Sequence, residues 1–194
     1  MSAQTKPLVY IGLLHHPVYN KRMEVIATSI TNMDIHDIAR SSCTYDVQRY
    51  FVIHPLKTQR KLIEDVLEYW QTGYGAQYNA DRKSAFEKVS LIASLEDTIE
   101  EIRRETGALP KIVMTDARIY PNTVGYRQMR NMFAEGKPFL LVFGTGWGVE
   151  KETMLKSDYI LEPIYGAGDY NHLSVRAAVA IILDRLLGEA WWDS

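Results

Sequence analysis

A single cysteine, Cys43, stands in a chain of 194 residues. One thiol excludes an intramolecular disulfide and any zinc site built from cysteine pairs. Long apolar runs are missing too, none approaching the roughly 20 residues of a membrane-crossing helix. The opening residues, MSAQTKP, are polar and unlike a secretory leader. The expectation is a cytoplasmic protein with no membrane partner. An excess of one charge is also lacking, since the formal net charge is −2. The total therefore does not point to nucleic acid. Residues 1–90 nevertheless carry 11 Lys and Arg against 9 Asp and Glu, whereas residues 137–194 carry 5 against 8. An RNA contact would have to be a local basic patch drawn from the first half. Histidine is scarce, and the adjacent pair His15-His16 lacks the spacing of metal ligands, so no metal is expected. No repeat, linker or low-complexity tract divides the chain. At 46% hydrophobic content it can bury a full core, and residues 1–194 are expected to form one domain.

What is present alternates between two periods. Leu8 to Leu14 is an apolar run and a first strand, followed by a polar loop from Val18 to Arg22. Thr31 and Asn32 open a helix to about Tyr45, with Asp34 and Asp37 in its first turns. Arg49 to His54 reads as a strand, and Leu56 to Trp70 carries a helical apolar stripe. Gln71 to Arg82, rich in glycine and tyrosine, reads as a loop without regular structure. Val89 to Ala93 is a strand candidate; Ser94 then caps a helix that stops near Gly107. Lys111 to Thr115 is a buried strand that ends in the loop Asp116 to Arg118. Asn122 to Ala134 reads as a helix. This alternation predicts an α/β fold with a mostly parallel sheet and helices on both faces.

The most informative stretch runs from Pro138 to Gly188. Phe139 to Phe143 is continuously apolar and stops at three glycines, Gly144, Gly146 and Gly148, as a strand buried on both faces would. A short helix between Val149 and Lys156, a strand Tyr159 to Leu161, a loop with Gly166 and Gly168, and a helix from about Asn171 to Leu187 follow. Two glycine-bearing loops after neighbouring buried strands make a place for a small molecule with polar edges. FGTGWG followed by Glu162 has the outline of a dinucleotide fingerprint, so a nicotinamide-nucleotide enzyme is one reading. The spacing is not G-x-G-x-x-G, and too little chain follows for a second half-fold. A tight turn with no ligand is another reading.

Four blocks carry a family resemblance: LVYIGLLHHPVYNKR, TNMDIHDIAR, VFGTGWG and LEPIYGAGDYNHLSVRAAVAIILDRLLG. They resemble the SPOUT class of RNA methyltransferases, in particular a bacterial stand-alone family related to a domain fused to tRNA guanosine methyltransferase. The resemblance covers nearly the whole chain. It implies a C-terminal deep trefoil knot, S-adenosylmethionine as cofactor and RNA (tRNA or rRNA) as substrate. It also implies three cofactor loops. Their candidates are Thr115 and Ala117; Gly144, Thr145, Gly146 and Gly148; and Ile164, Gly166, Asn171, Leu173 and Ser174.

Methyl transfer from a sulfonium needs alignment and a route for the departing proton, and no metal. The resemblance puts Arg40 at the position of the arginine that assists a ribose hydroxyl. The asparagine that accompanies it falls on Asp34, with Asn32 close by. Where relatives read S-L-N-V-S, this chain has Tyr170 to Ser174, with His172 in place of asparagine. The acceptor is therefore either a ribose hydroxyl or a base nitrogen. Arg40 would stabilise charge or hold a phosphate, with Asp169 or His172 as proton acceptor. Each also has a plain structural reading: a solvated helix charge for Arg40, a cap-region acid for Asp169 and a backbone-bonded first-turn residue for His172. Asn20, Lys21 and Arg22 would grip RNA phosphate, or form a surface loop. Arg118 belongs to the cleft rim, and Tyr74 and Tyr78 are candidates for base stacking. The last helix is apolar almost all round and must be covered on more than one side. By resemblance, that predicts a homodimer. A catalytically degenerate module that binds cofactor and RNA remains the non-enzyme alternative.

Overall fold

The computed structural model describes residues 7–188; residues 1–6, most of the polar opening stretch, and residues 189–194 lie outside the described residues. The strands are β1 (Leu8–Leu14), β2 (Val18–Tyr19), β3 (Val25–Ile26), β4 (Tyr50–Ile53), β5 (Val89–Ile92), β6 (Lys111–Thr115), β7 (Thr123–Val124), β8 (Pro138–Gly144) and β9 (Tyr159–Leu161). The helices are α1 (Asn32–Thr44), α2 (Lys57–Gln71), α3 (Tyr74–Tyr78), α4 (Ala80–Glu87), α5 (Leu95–Thr106), α6 (Tyr126–Phe133), α7 (Lys151–Met154) and α8 (Val175–Leu187). Seven strands form one sheet in the order β5-β4-β1-β8-β6-β9-β7. Its pairings are all parallel, as the alternation of strands and helices predicts.

Parallel strands need crossovers, and the crossover helices cover both faces. Along β1, Val9, Ile11 and Leu13 point into a core with α1, α2, α4, α6 and α8. Tyr10 and Leu14 point the other way, into a core with Leu95 and Ile102 of α5 and Met154 of α7. Helix ends follow local chemistry. Thr31 Oγ1 accepts from the Asp34 N–H at 3.2 Å and Ser94 Oγ from the Asp97 N–H at 3.1 Å, satisfying donors that a helix start leaves open. Gly107 ends α5 with φ 78°, a left-handed cap that glycine adopts without strain.

Four sequence expectations are corrected. Gln71 to Arg82 is not irregular: it holds α3 and the start of α4. Gly75 allows the Trp70 and Tyr69 rings to close on its backbone, where a Cβ would sit 2.7 Å from Trp70 Cε3. Asn79 caps α4 by accepting from the Arg82 N–H at 2.9 Å. Val18 to Arg22 is not a simple loop, because β2 pairs antiparallel with β3. The helix expected from Asn122 starts at Tyr126; the β-branched pair Thr123-Val124 is instead captured as a strand beside β9. The last helix starts at Val175 rather than Asn171, because Ser174 is its cap.

A part-buried polar chain fastens β1 to the loops above it. Thr145 Oγ1 donates to Leu14 O at 3.1 Å and lies 2.5 Å from Thr28 Oγ1, which lies 3.1 Å from His15 Nδ1. Since Thr145 spends its proton on the carbonyl, Thr28 donates to Thr145 and His15 Nδ1–H donates to Thr28. That tautomer leaves the buried Nε2 as an acceptor without a partner. The neighbouring His54 has the opposite tautomer: its Nδ1 accepts from the Leu56 N–H at 3.1 Å, so its Nε2–H donates to Thr28 O at 3.0 Å. Burial, with a smaller push from His54, lowers the His15 pKa from 6.5 to about 4.

Asn79→Ala is expected to lower stability by about 1 kcal/mol, read as a reduced urea midpoint with an unchanged slope. For His15, the unfolded chain binds a proton below about pH 6.5 that the folded chain refuses until about 4. Its contribution is therefore intact above pH 6.5 and lost as pH falls toward 4, on the order of 3 kcal/mol across that window. His15→Asn, whose amide keeps the donor to Thr28, is expected to flatten urea stability between pH 7 and 4.5 relative to the natural chain. Equal slopes for the two proteins would count against a neutral buried His15.

Candidate active site

A cleft of ≈ 880 Å³ opens at the carboxyl ends of β6, β8 and β9, at the centre of the sheet. Open parallel sheets hold ligands there, because strands buried on both faces expose polar backbone only where they end. Three loops wall it: residues 115–118 after β6, residues 144–148 after β8 and residues 162–174 after β9. The first and third are tied together where Asn171 Nδ2 donates to Ala117 O at 2.8 Å. The segment from Ile164 to Ser174 makes few internal backbone bonds, one being the Leu173 N–H to Asn171 O at 3.2 Å.

The middle loop is held by the β2–β3 hairpin. The Tyr19 N–H donates to Gly148 O and the Trp147 N–H to Tyr19 O, both at 2.9 Å. This close stitching accounts for the glycines. Gly146 has φ 61°, and a Cβ there would meet Tyr19 O at 2.8 Å; Gly148 has φ 103°, with Arg118 Nη2 at 2.9 Å from its would-be Cβ. The FGTGWG pattern is thus a requirement of the loop itself. It also departs from a dinucleotide site. The helix after it, α7, has four residues, and its first N–H groups are taken by the Glu150 side chain, which accepts from Glu152 and Thr153 at 2.8 and 2.9 Å. The start of α7 therefore has no free N–H groups to offer a pyrophosphate. Glu162, the acid that the nicotinamide reading needs, caps α6 instead, accepting from the Tyr126 N–H at 2.9 Å.

The charged groups of the cleft are paired. Asp34 accepts from Thr31 Oγ1 at 2.5 Å and from Arg176 Nη1 at 3.2 Å, while Arg176 Nε reaches Asp37 at 3.3 Å. Asp116 holds Arg118 through two side-chain bonds of 2.9 Å and accepts from Tyr120 Oη at 3.2 Å. This pairing raises the already high Arg118 pKa, and burial with the Asp116 charge raises that of Tyr120.

Most of the sequence-predicted positions converge here. Thr115, Ala117, Arg118, Gly144, Thr145, Gly146 and Gly148 line the cleft, and so do Ile164, Asn171, His172, Leu173 and Ser174. Gly166 and Asp169 belong to the third loop, exposed and off the cleft wall. Asn20 is used internally, its Oδ1 accepting from the Arg22 and Glu24 N–H groups at 2.8 and 3.0 Å. Lys21 and Arg22 are exposed at the hairpin tip, next to Met23 on the cleft rim. Arg40 lies elsewhere, in a groove between α1 and α2. Sequence reasoning missed Thr28 and Arg176. Arg176 had a signal, being the one charge in the first two turns of a helix otherwise apolar there; Thr28 had none. Among the described residues no cluster of His, Cys, Asp or Glu is arranged to hold a metal. No helix there is long and apolar enough to cross a membrane.

Comparison with known proteins supplies the family and the fold. A protein of Aquifex aeolicus with no assigned function is 48% identical over 179 residues, covering 92% of this chain and 87% of that protein. A tRNA (guanine-N(1)-)-methyltransferase of Oleidesulfovibrio alaskensis is 42% identical over 182 residues, covering 94% of this chain. The chain spans 42% of that longer protein. Among solved structures, the SpoU methyltransferase AviRb of Streptomyces viridochromogenes in complex with AdoMet superposes with a TM-score of 0.57 at 16% identity, over 93% of this chain and 59% of that one. A sequence profile of the SAM-dependent RNA methyltransferase family matches residues 8–188, and the chain belongs to that family.

Proposed function

We propose that this chain methylates RNA, probing its substrate at the cleft mouth and holding S-adenosylmethionine between the three loops. The observation that carries the reading is the cleft's charge. Asp34, Asp116 and Glu162 face Arg118 and Arg176 there, a surplus of carboxylate that suits a sulfonium and opposes a pyrophosphate. The sparsely bonded backbone of residues 164–174, with that of Thr115, Gly144 and Gly148, supplies donors and acceptors for an adenine edge, a ribose and an amino-acid end. When bound, S-adenosylmethionine supplies an electrophilic methyl group whose transfer leaves a neutral thioether.

The chain's own residues position and deprotonate the acceptor, a ribose hydroxyl or base nitrogen. His172 lines the cleft and is exposed, with Tyr170 edge-on at 5.8 Å between ring centroids. It is the side chain best placed to take the acceptor proton. Asp169, two residues beyond Ala167 on the exposed loop, is the second candidate. Arg176 holds Asp34 and Asp37 together and fixes the start of α8 against α1. Lys21, Arg22 and Arg118 at the rim suit RNA phosphates.

The remaining parts of this reading are a single domain over residues 1–194, a knotted C-terminal half, a homodimer and a cytoplasmic location. In support of the knot, the loop from β6 to β7 strides across β9, and the chain leaving β9 is bonded to that loop through Asn171. In support of the dimer, α8 buries Val179, Ile182, Leu183 and Leu186 but leaves Ala177, Ala180 and Ile181 partly open. The location follows from an RNA substrate.

Calorimetric titration is expected to give one S-adenosylmethionine per chain and no heat with NAD. Gly146→Val, which forces the loop off Tyr19 O, is expected to weaken that binding at least tenfold. His172→Ala is expected to slow methyl transfer to RNA about a hundredfold with cofactor affinity kept within twofold. An NAD isotherm would sink the cofactor assignment, full transfer by the His172 variant would sink its role, and binding without transfer would restore the degenerate-module reading.

A further inference from the structure

The groove that takes in Arg40 lies outside the cleft and shares no lining residue with it. It has a volume of ≈ 700 Å³ and runs between α1, α2 and α4, in the size range of pockets that hold small ligands. Its walls are apolar and open to solvent: Met33 is 60% exposed, Leu62 56% and Tyr69 48%. Behind them Trp70 lies with the Arg82 guanidinium 4.6 Å from its ring centroid, and Phe86 stacks nearby at 6.1 Å.

The charges in the groove are unevenly paired. Asp37 is taken by Arg176 and Asp65 by Lys61, at 3.3 and 2.8 Å. Arg40 and Arg82, by contrast, have no carboxylate partner among the described residues, and Arg82 Nε is buried without a hydrogen bond. Two unpaired guanidiniums, one already stacked on an indole, above an apolar wall match the chemistry of a nucleotide: a flat base and an anionic phosphate.

The groove also adjoins the cleft. Thr31 and Asp34 of the α1 start face the cleft, while Asn32, Met33 and Asp37 face the groove. The two openings are separated by the thickness of one helix, about 10 Å. We propose that the groove takes one unstacked nucleotide of the RNA substrate, flanking the methylated one, with its base on the Arg82–Trp70 stack and its phosphate on Arg40. This inference rests on the RNA-methyltransferase reading above.

The test is fluorescence anisotropy with a labelled single-stranded RNA of mixed sequence, about twelve nucleotides long, alongside calorimetry with S-adenosylmethionine and sedimentation of each protein. Arg40→Gln is expected to weaken RNA binding about fivefold and to lower the slope of log affinity against log salt by about 0.7, the signature of one lost phosphate contact on a single strand. Arg82→Lys keeps the charge but loses the planar stack, so it is expected to weaken binding about fivefold with the salt slope unchanged. Cofactor affinity should stay within twofold in both. RNA binding by both variants equal to that of the natural chain would overturn this site while leaving the RNA reading intact. A natural chain that binds the cofactor and no RNA would overturn both. A natural dimer that Arg40→Gln dissociates would also overturn the proposal, marking the groove as an interface between copies.

Discussion

Strand β8 is paired along both edges, with β1 on one side and β6 on the other, and is buried on both faces until Gly144. Every polar backbone group in such a strand is spent inside the sheet. Only where the strand stops can the chain offer N–H and C=O groups to anything else, and β6 and β9 stop beside it. The cleft is a consequence of that constraint. It forms where three strands release their chains together, and the loops that leave have to be held by something other than the sheet. The β2–β3 hairpin holds one, Asn171 ties the other two, and the His15–Thr28–Thr145 chain anchors the assembly to the end of β1.

The sequence is most transparent where burial is two-sided. Phe139 to Phe143 and Ile112 to Met114 are uninterrupted apolar runs because neither face of the sheet meets water there. The caps Thr31 and Ser94 and the stop at Gly107 were equally legible, since each is settled by bonds within four residues. The failures share a cause in long-range contacts. Thr123-Val124 looks like a helix start until β9 captures it. Gly75 looks like a chain breaker until Trp70 packs on it. At the site, the glycine triplet was readable as a loop, but its reason, the approach of Tyr19 O, lies more than a hundred residues away. Arg40 was placed by resemblance at the chemistry, and its position on the far side of α1 could not be read from spacing. Arg176 became significant only when folding brought α8 against Asp34 and Asp37.

The same pairing decides what each side of α1 can recognise. Arg176 bridges two carboxylates of α1, one facing the cleft and one facing the groove. On the cleft side Asp116 and Glu162 are committed to Arg118 and to the α6 N-terminus, so the remaining balance favours a cation. On the groove side Arg176 and Lys61 remove the acids from competition, and Arg40 and Arg82 are left to face solvent over an apolar wall. A single arginine at the head of α8 thereby separates a cation-favouring pocket from an anion-favouring one, roughly a helix diameter apart. A reaction that brings a sulfonium to a polyanion needs that separation. Were the two surfaces merged, the phosphates would compete with the cleft carboxylates for the cation, and the cofactor's charge would fall on the backbone of the RNA instead of beside the atom to be methylated.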